Sequence, residues 1–420
     1  MKELLQIRDA RIAISARALA QLGDAMILIA LSILIAQTGR PLDLTVLLIA
    51  FAAPVVALSG WAGRLVDTRD SRAILTWSAL AQVLGAAGLL ASTSLVWQVA
   101  CILLIQSGQT VVAPGWGALL PRIVGEEKVG RAIGLQQALG SAAWLAGTAV
   151  GGLAYAAVGF RGVVLVAATT FAALVIAPRA VRTHRGPTSA PRATASSTDT
   201  HPDTTRDPRT LESGWHVLRR DRVSGLVVVG LVLFVVALEG TNVVEAFLVI
   251  DVLGAGPAAY GLLGFCLGGG VTVGSLLAAR IEDDRRRITV LASAAAVLGL
   301  TMSSAGLAPS VTWLYPLFVV AGLANGFING LGFALVVGRT ADAARGRVLA
   351  AAMGTIRAGS VLSLLAAGLA AGWFGPRAVF VGAGLLTITV APALLLGRRP
   401  LSDGVRPAAA PVPDAVESAA

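Results

Sequence analysis

Three ionisable side chains stand out well inside long apolar stretches of the chain: Asp24, Glu239 and Arg357. A fourth, Glu245, shares a stretch with Glu239 but lies nearer its far end. Ionisable groups inside lipid-spanning segments are costly and mostly functional. A carboxylate buried without a partner favours its protonated form. It can take a proton on one side of a barrier and release it on the other, or trade protons for a cationic substrate. Asp24 has a structural reading as well, a hydrogen bond to a neighbouring helix. Arg357 has two readings, a counter-ion for one carboxylate or a side chain that snorkels to the surface. The amides Gln106, Gln109, Asn242, Asn325 and Asn329 fit either cavity hydrogen bonds or helix-to-helix bonds. No nucleophile–base pair, metal cluster or phosphate loop is present, so no catalytic residue, cofactor or metal is expected. Cys101 and Cys266 fall in apolar stretches and indicate no disulfide framework. His184, His201 and His216 share one polar stretch without metal-ligand spacing.

The elements that must position these groups follow from composition. Of 420 residues, 56% are hydrophobic and only 13% charged, and mean hydropathy is +0.79. A soluble chain this apolar could not cover itself with polar surface, so lipid must be the solvent for much of it. Twelve stretches reach the roughly 20 apolar residues of a membrane-spanning helix. They lie near 11–37, 43–65, 73–92, 97–120, 132–157, 160–178, 223–250, 258–281, 288–307, 312–337, 348–373 and 377–397. The expected fold is an all-α membrane protein of two six-helix bundles, 1–178 and 223–397.

Basic residues set the orientation. With both termini in the cytoplasm, all but four of the 33 Lys and Arg fall on the cytoplasmic side; the exceptions are Arg40, Arg161, Arg377 and the intramembrane Arg357. The net charge of +10 is therefore read as a topology signal rather than a nucleic-acid surface. Residues 179–222 begin as a Pro/Ser/Thr/Arg-rich linker that cannot bury a core. They end in a short amphipathic segment around Trp215 and Leu218. The tail 398–420 is expected to be disordered.

The two halves repeat at an offset of 215–216 residues. G-F-R-G-V at 159–163 matches G-P-R-A-V at 375–379, Pro41 falls on Pro257, and Arg131 falls on Arg347. Asp67 and Arg72 fall on Glu282 and Arg287, and Asp24 falls on Glu239. Parallel repeats about an axis along the membrane normal imply a cleft between the halves, with a site near midplane.

Three stretches carry a resemblance: G-R-L-V-D-T-R-D-S-R at 63–72, P-R-I-V-G-E-E-K-V-G-R-A at 121–132 and T-A-D-A-A-R-G-R-V at 340–348. With them the chain resembles the major facilitator superfamily, most closely its bacterial branch of siderophore exporters and macrolide efflux pumps. The segment G-T-A-V-G-G at 147–152 is similar to the antiporter motif of the exporters, with Thr148 where Pro is usual; a Gly-rich packing face is the alternative. The resemblance implies a secondary transporter in the bacterial inner membrane. It implies proton-coupled export of a small amphiphilic molecule by alternating access. It also implies a cytoplasmic latch built from Gly63, Asp67, Arg72, Glu282, Arg287, Arg345 and Arg347. A lysolipid flippase or nutrient importer has the same fold, and a non-transporting scaffold or sensor is a third reading. The expected partners are the substrate, protons and the bilayer, with no nucleic acid; a monomer is expected.

Overall fold

The computed structural model describes residues 6–125, 128–181, 222–339 and 342–397. Its helices are α1 (Arg8–Thr38), α2 (Pro41–Thr68), α3 (Ser71–Leu89), α4 (Leu95–Val124), α5 (Val129–Ala180), α6 (Arg222–Phe247), α7 (Pro257–Ala278), α8 (Asp284–Gly306), α9 (Val311–Arg339) and α10 (Asp342–Gly397). Among the described residues, ten helices are long and apolar enough to cross a membrane. Residues 182–221, which hold the expected amphipathic segment and the three histidines, and the tail from 398 lie outside the described residues.

Helices α5 and α10 are 52 and 56 residues long, more than twice the roughly 20 residues of one crossing. Each is broken at a single glycine in the left-handed region, Gly159 (φ 67°) and Gly375 (φ 79°). Only glycine adopts that conformation without strain. The arms of α5 are thus 129–158 and 160–180, and those of α10 are 342–374 and 376–397. The breaks fall between the expected stretches 132–157 and 160–178 and between 348–373 and 377–397.

Local chemistry sets the helix starts. Pro41 and Pro257 open α2 and α7, where proline's missing N–H costs nothing. Asp70 caps α3, accepting from the backbone N–H groups of Arg72 (2.8 Å) and Ala73 (3.0 Å). Asp283 caps α8, accepting from Arg286 N–H at 2.8 Å. Asp70→Ala is expected to cost about 1 kcal/mol of stability, read as a lower melting temperature, with Arg69→Ala as a control that leaves the cap intact.

The caps also correct the repeat register. They match Asp70 with Asp283, which places Arg72 level with Arg285 rather than Arg287. The α7–α8 unit is three residues shorter than its α2–α3 counterpart. The change of offset from 215 at Asp24/Glu239 to 216 at Pro41/Pro257 has its own cause. A π-turn at Leu248–Val252, closed by Leu253 N–H to Leu248 O at 2.9 Å, inserts one residue into the second repeat.

One contact pattern occurs twice. In the first set, α1 packs on α5 and α4, α2 on α4, and α3 on α4 and α5. In the second, α6 packs on α10 and α9, α7 on α9, and α8 on α9 and α10. The sets join along two seams, α5 with α7 and α2 with α10, which a two-fold relation exchanges. In one seam, a Cβ on Gly152 would lie 2.7 Å from Gly261 Cα and from Pro257 O. In the other, Thr45 Oγ1 donates to Leu364 O at 3.2 Å and abuts Gly368. At the offset of 216, Gly152 maps onto Gly368 and Thr45 onto Gly261. Both seams lie toward the end that carries the 39–40 and 253–256 connections. Toward the other end, a Cβ on Gly60, Gly63 or Gly134 would meet nothing within 4 Å, so the sets diverge there. Large apolar side chains such as Trp77, Leu362 and Trp373 are exposed on the helix surfaces, as a lipid-facing surface requires.

Candidate functional site

Helix α1 approaches α5 closely because Gly147 and Gly151 present no side chain to it. A Cβ on Gly147 would lie 2.7 Å from Leu22 O, and one on Gly151 would lie 3.1 Å from Met26 Cα. The Gly-rich segment at 147–152 is therefore a packing face, turned to α1 at Gly147 and Gly151 and to α7 at Gly152. Thr148, buried, sits against Gly264 of α7 and turns its hydroxyl to Leu145 O at 2.8 Å.

This packing holds Asp24 inside. Asp24 is 5% exposed. Gln106 Nε2 donates to its Oδ1 at 3.2 Å and Gln109 Nε2 to its Oδ2 at 2.9 Å. The two glutamines are three residues apart and so share one face of α4. Each carboxylate oxygen has its own N–H donor, and hydrogen bonds to a charged group are worth roughly 1.5–3 kcal/mol each. Gln109→Leu would leave one buried oxygen without a donor. It is expected to lower stability by a similar amount, roughly 1–3 kcal/mol, measured by denaturant or thermal unfolding.

Arg17 belongs to the same cluster. It lies two turns before Asp24 on the same face of α1, close enough to interact with it electrostatically. Its Nη1 is buried and has no hydrogen-bond partner, and Gln109 Oε1 is in the same condition. Near the start of its stretch Arg17 reads as a topology charge; the seven-residue spacing to Asp24 is the signal that ties the two together.

Glu239, its counterpart in the second repeat, is held differently. It is half-buried and its Oε2 accepts from Asn242 of its own helix at 3.2 Å. Glu245 lines a narrow cavity inside the second set with Thr241, Asn242, Thr301, Met302 and Phe318. It lies near Tyr260 of α7, which is itself buried. Asn325, buried, and Asn329 bond along α9, Asn329 Nδ2 donating to Asn325 O at 3.0 Å. Gln109 and Asn325 match at the offset of 216, yet among the described residues only Gln109 reaches a carboxylate.

Arg357 is exposed and has no acidic partner among the described residues, so in this structure it is not a counter-ion. It lies on the stripe of α10 that carries Leu364 and Gly368, which face α2 at the seam. Arg357 therefore faces the gap where α2 and α10 have parted.

Of the residues expected to form a latch, Arg72 donates from Nη2 to Val181 O at 2.6 Å, at the end of α5. Arg287 donates from Nε to Ile281 O at 2.9 Å and pairs with Asp284 at 3.3 Å. Both bonds stay within one set. Gly63 faces open space, Glu282 is exposed, and the side chains of Asp67, Arg345 and Arg347 lie outside those described.

Comparison with known proteins gives consistent relatives. The profile of the Major Facilitator Superfamily matches residues 13–250 and again 229–418. An uncharacterised MFS-type transporter, YfiS of Bacillus subtilis (strain 168), is 25% identical over 406 residues, 92% of each chain. Macrolide efflux protein A of Streptococcus pyogenes is 24% identical over 370 residues, 84% of this chain and 87% of the relative. Among solved structures, a bacterial homologue of the iron transporter ferroportin in an inward-facing state superposes with a TM-score of 0.68 at 12% identity, covering 92% of this chain and 98% of that one. The nucleoside transporter NupG gives a TM-score of 0.68 at 14% identity, covering 93% and 99%. The repeated contacts, the apolar helices and these matches agree: the chain is a multi-pass membrane protein belonging to the major facilitator superfamily.

Proposed function

We propose that this protein is a proton-coupled exporter of small amphiphilic molecules in a bacterial inner membrane, working by alternating access. The observation that carries the reading is the buried Asp24 carboxylate, held between α1 and α4 by two glutamine amides. The low-identity relationship to macrolide efflux proteins supports the direction. With the arms of α5 and α10 each crossing once, the chain has twelve spans in two bundles, 1–178 and 223–397, with the 179–222 linker between them. The charge bias puts both termini in the cytoplasm. The seams then lie at the outer face, and the gap lined by Arg357 opens to the cytoplasm.

In the alternate state the cytoplasmic ends meet. Along the α5–α7 seam, Gly152 faces Gly261, Thr148 faces Gly264 and Leu145 faces Gly268. Stepping down one helix and up the other at that rate brings Leu135 opposite Ala278, the end of α7, so that Arg131, one turn further on α5, comes to the side of the connection that holds Glu282. The same steps from Thr45 and Gly368 bring Asp67 to the turn holding Arg345 and Arg347. Each pair would form only when the cytoplasmic side is shut. Glu282→Arg is therefore expected to slow transport, and Glu282→Arg with Arg131→Glu to restore it; a double variant no better than the single one refutes the pairing.

The test of function is proton release from inverted vesicles on adding an amphiphilic drug, together with survival of an exporter-deficient host against a panel of toxic compounds. Uphill accumulation of a solute by whole cells would replace export with import. Flux of a lysolipid alone would make the protein a flippase. Spin-label distances that never change would leave only a scaffold.

A further inference from the structure

We propose that Arg17 is a substrate-binding residue and that its site takes an amphiphile with an anionic head group. This deepens the transport reading of the Asp24 site and names its substrate class.

A guanidinium is charged at any physiological pH and presents five N–H donors. Burying one of its nitrogens without an acceptor is costly unless another state, or a ligand, supplies the acceptor. The acid that acts on its charge is Asp24, whose oxygens accept from Gln106 and from Gln109, with no bond to Arg17 among the described residues. Glu239 is bonded to Asn242. At the other edge of the cluster, Gln109 Oε1 is buried without a donor, although the same amide's Nε2 holds Asp24. The site therefore has one cationic donor and one neutral acceptor open, flanking a carboxylate that the two glutamines hold.

The complement of that arrangement is an anionic group for Arg17 with a neighbouring N–H or O–H for Gln109. Arginine pairs best with carboxylates and phosphates, which accept two parallel N–H bonds. A cationic amphiphile would meet Arg17 as a like charge and would have to displace a glutamine from Asp24.

The probes share a twelve-carbon chain: N-lauroylglycine, lauroyl-lysophosphatidylglycerol and dodecyltrimethylammonium. The full chain, purified in neutral detergent, is titrated with each while tryptophan fluorescence and melting temperature are followed. An anionic probe is expected to bind at least about tenfold more tightly than the cation, a preference that Arg17→Gln removes and Arg17→Lys largely keeps. Preference for N-lauroylglycine over the lysolipid marks a free carboxylate ligand, and the reverse order marks a lipid head group; both support the proposal. Equal binding of anion and cation, or a preference unchanged in Arg17→Gln, overturns it. Should Arg17→Gln not fold, Gln109→Met must weaken N-lauroylglycine, whose amide N–H it can no longer accept; unchanged binding there also overturns the proposal. Flux of N-lauroylglycine in proteoliposomes separates the two readings. Arg17-dependent binding without flux defeats transport and leaves the binding residue standing. Flux indifferent to Arg17 defeats the binding residue and leaves transport standing.

Discussion

Asp24→Asn is expected to uncouple transport from the proton gradient while leaving the protein folded. Inverted vesicles carrying it should lose gradient-driven accumulation of an exported amphiphile yet still equilibrate it down its own gradient. Allosteric couplings of roughly 1–3 kcal/mol correspond to roughly 5–150-fold, and a loss of that order is the expected reading. The fold should survive because the neighbours can adapt. Asparagine keeps the size of aspartate and offers one oxygen and one NH2. Rotating the Gln109 amide turns Oε1, otherwise without a donor, toward that NH2. The rearrangement costs little, but no proton can now be bound or released at this position. Asp24→Glu restores a titratable group at the cost of one extra methylene in a packed site, so it should regain part of the coupling. Gradient-driven accumulation persisting in Asp24→Asn would exclude Asp24 from coupling and shift attention to Glu239 and Glu245. Persisting coupling in Asp24→Asn with Glu239→Gln would exclude both members of the repeat pair.

The apolar stretches and the repeat are legible in the sequence because both depend on local facts. Hydropathy marks the spans, and Gly159 and Gly375 mark the sharp turns because only glycine takes the required φ. The pairing of Asp24 with Gln106 and Gln109 is not legible. It depends on the rotation of α4 about its axis and on how closely Gly147 and Gly151 let α1 approach. Gln106 and Gln109 stand out as the strongly polar side chains of their stretch, but polarity alone does not name a partner. Repeat symmetry misleads for the same reason: Asp24 and Glu239 correspond in sequence, yet the first is bridged to another helix and the second bonds Asn242 on its own. Arg72 and Arg287 diverge because the repeat loses three residues between the starts of α7 and α8. A constant offset hides a loop length that the Asp70 and Asp283 caps reveal.

Gly261→Leu should prevent the seam from closing and drive the protein toward its alternate state. A Cβ there would lie 2.7 Å from Thr148 O and 2.8 Å from Gly152 Cα. Both are backbone atoms within helices, so no rotamer change relieves the overlap. The α5–α7 contact must open instead, and the remainder of a leucine side chain widens the gap. Overpacking costs of roughly 1–3 kcal/mol or more fall on the state in which the seam is closed. The same cost is absent when the halves rock apart at that end, so the population shifts by roughly 5–150-fold toward the other state. Spin labels at Thr93 and Ser310, in the connections at the seam end, should move apart. Labels at Thr68 and Glu282, at the opposite end, should approach. Transport should fall steeply because one half of the cycle is blocked. Two controls separate this from general damage. Gly372→Leu adds the same bulk where a Cβ meets nothing within 4 Å and should leave the distances unchanged. Gly147→Leu strikes α1 within one bundle, 2.7 Å from Leu22 O, and should lower stability rather than shift the two label pairs in opposite directions. If Gly261→Leu leaves both distances as in the unaltered protein, the seam is not the element whose closing defines this state. The pairing of Arg131 with Glu282 would then lose its register, because it is extended from the same contacts.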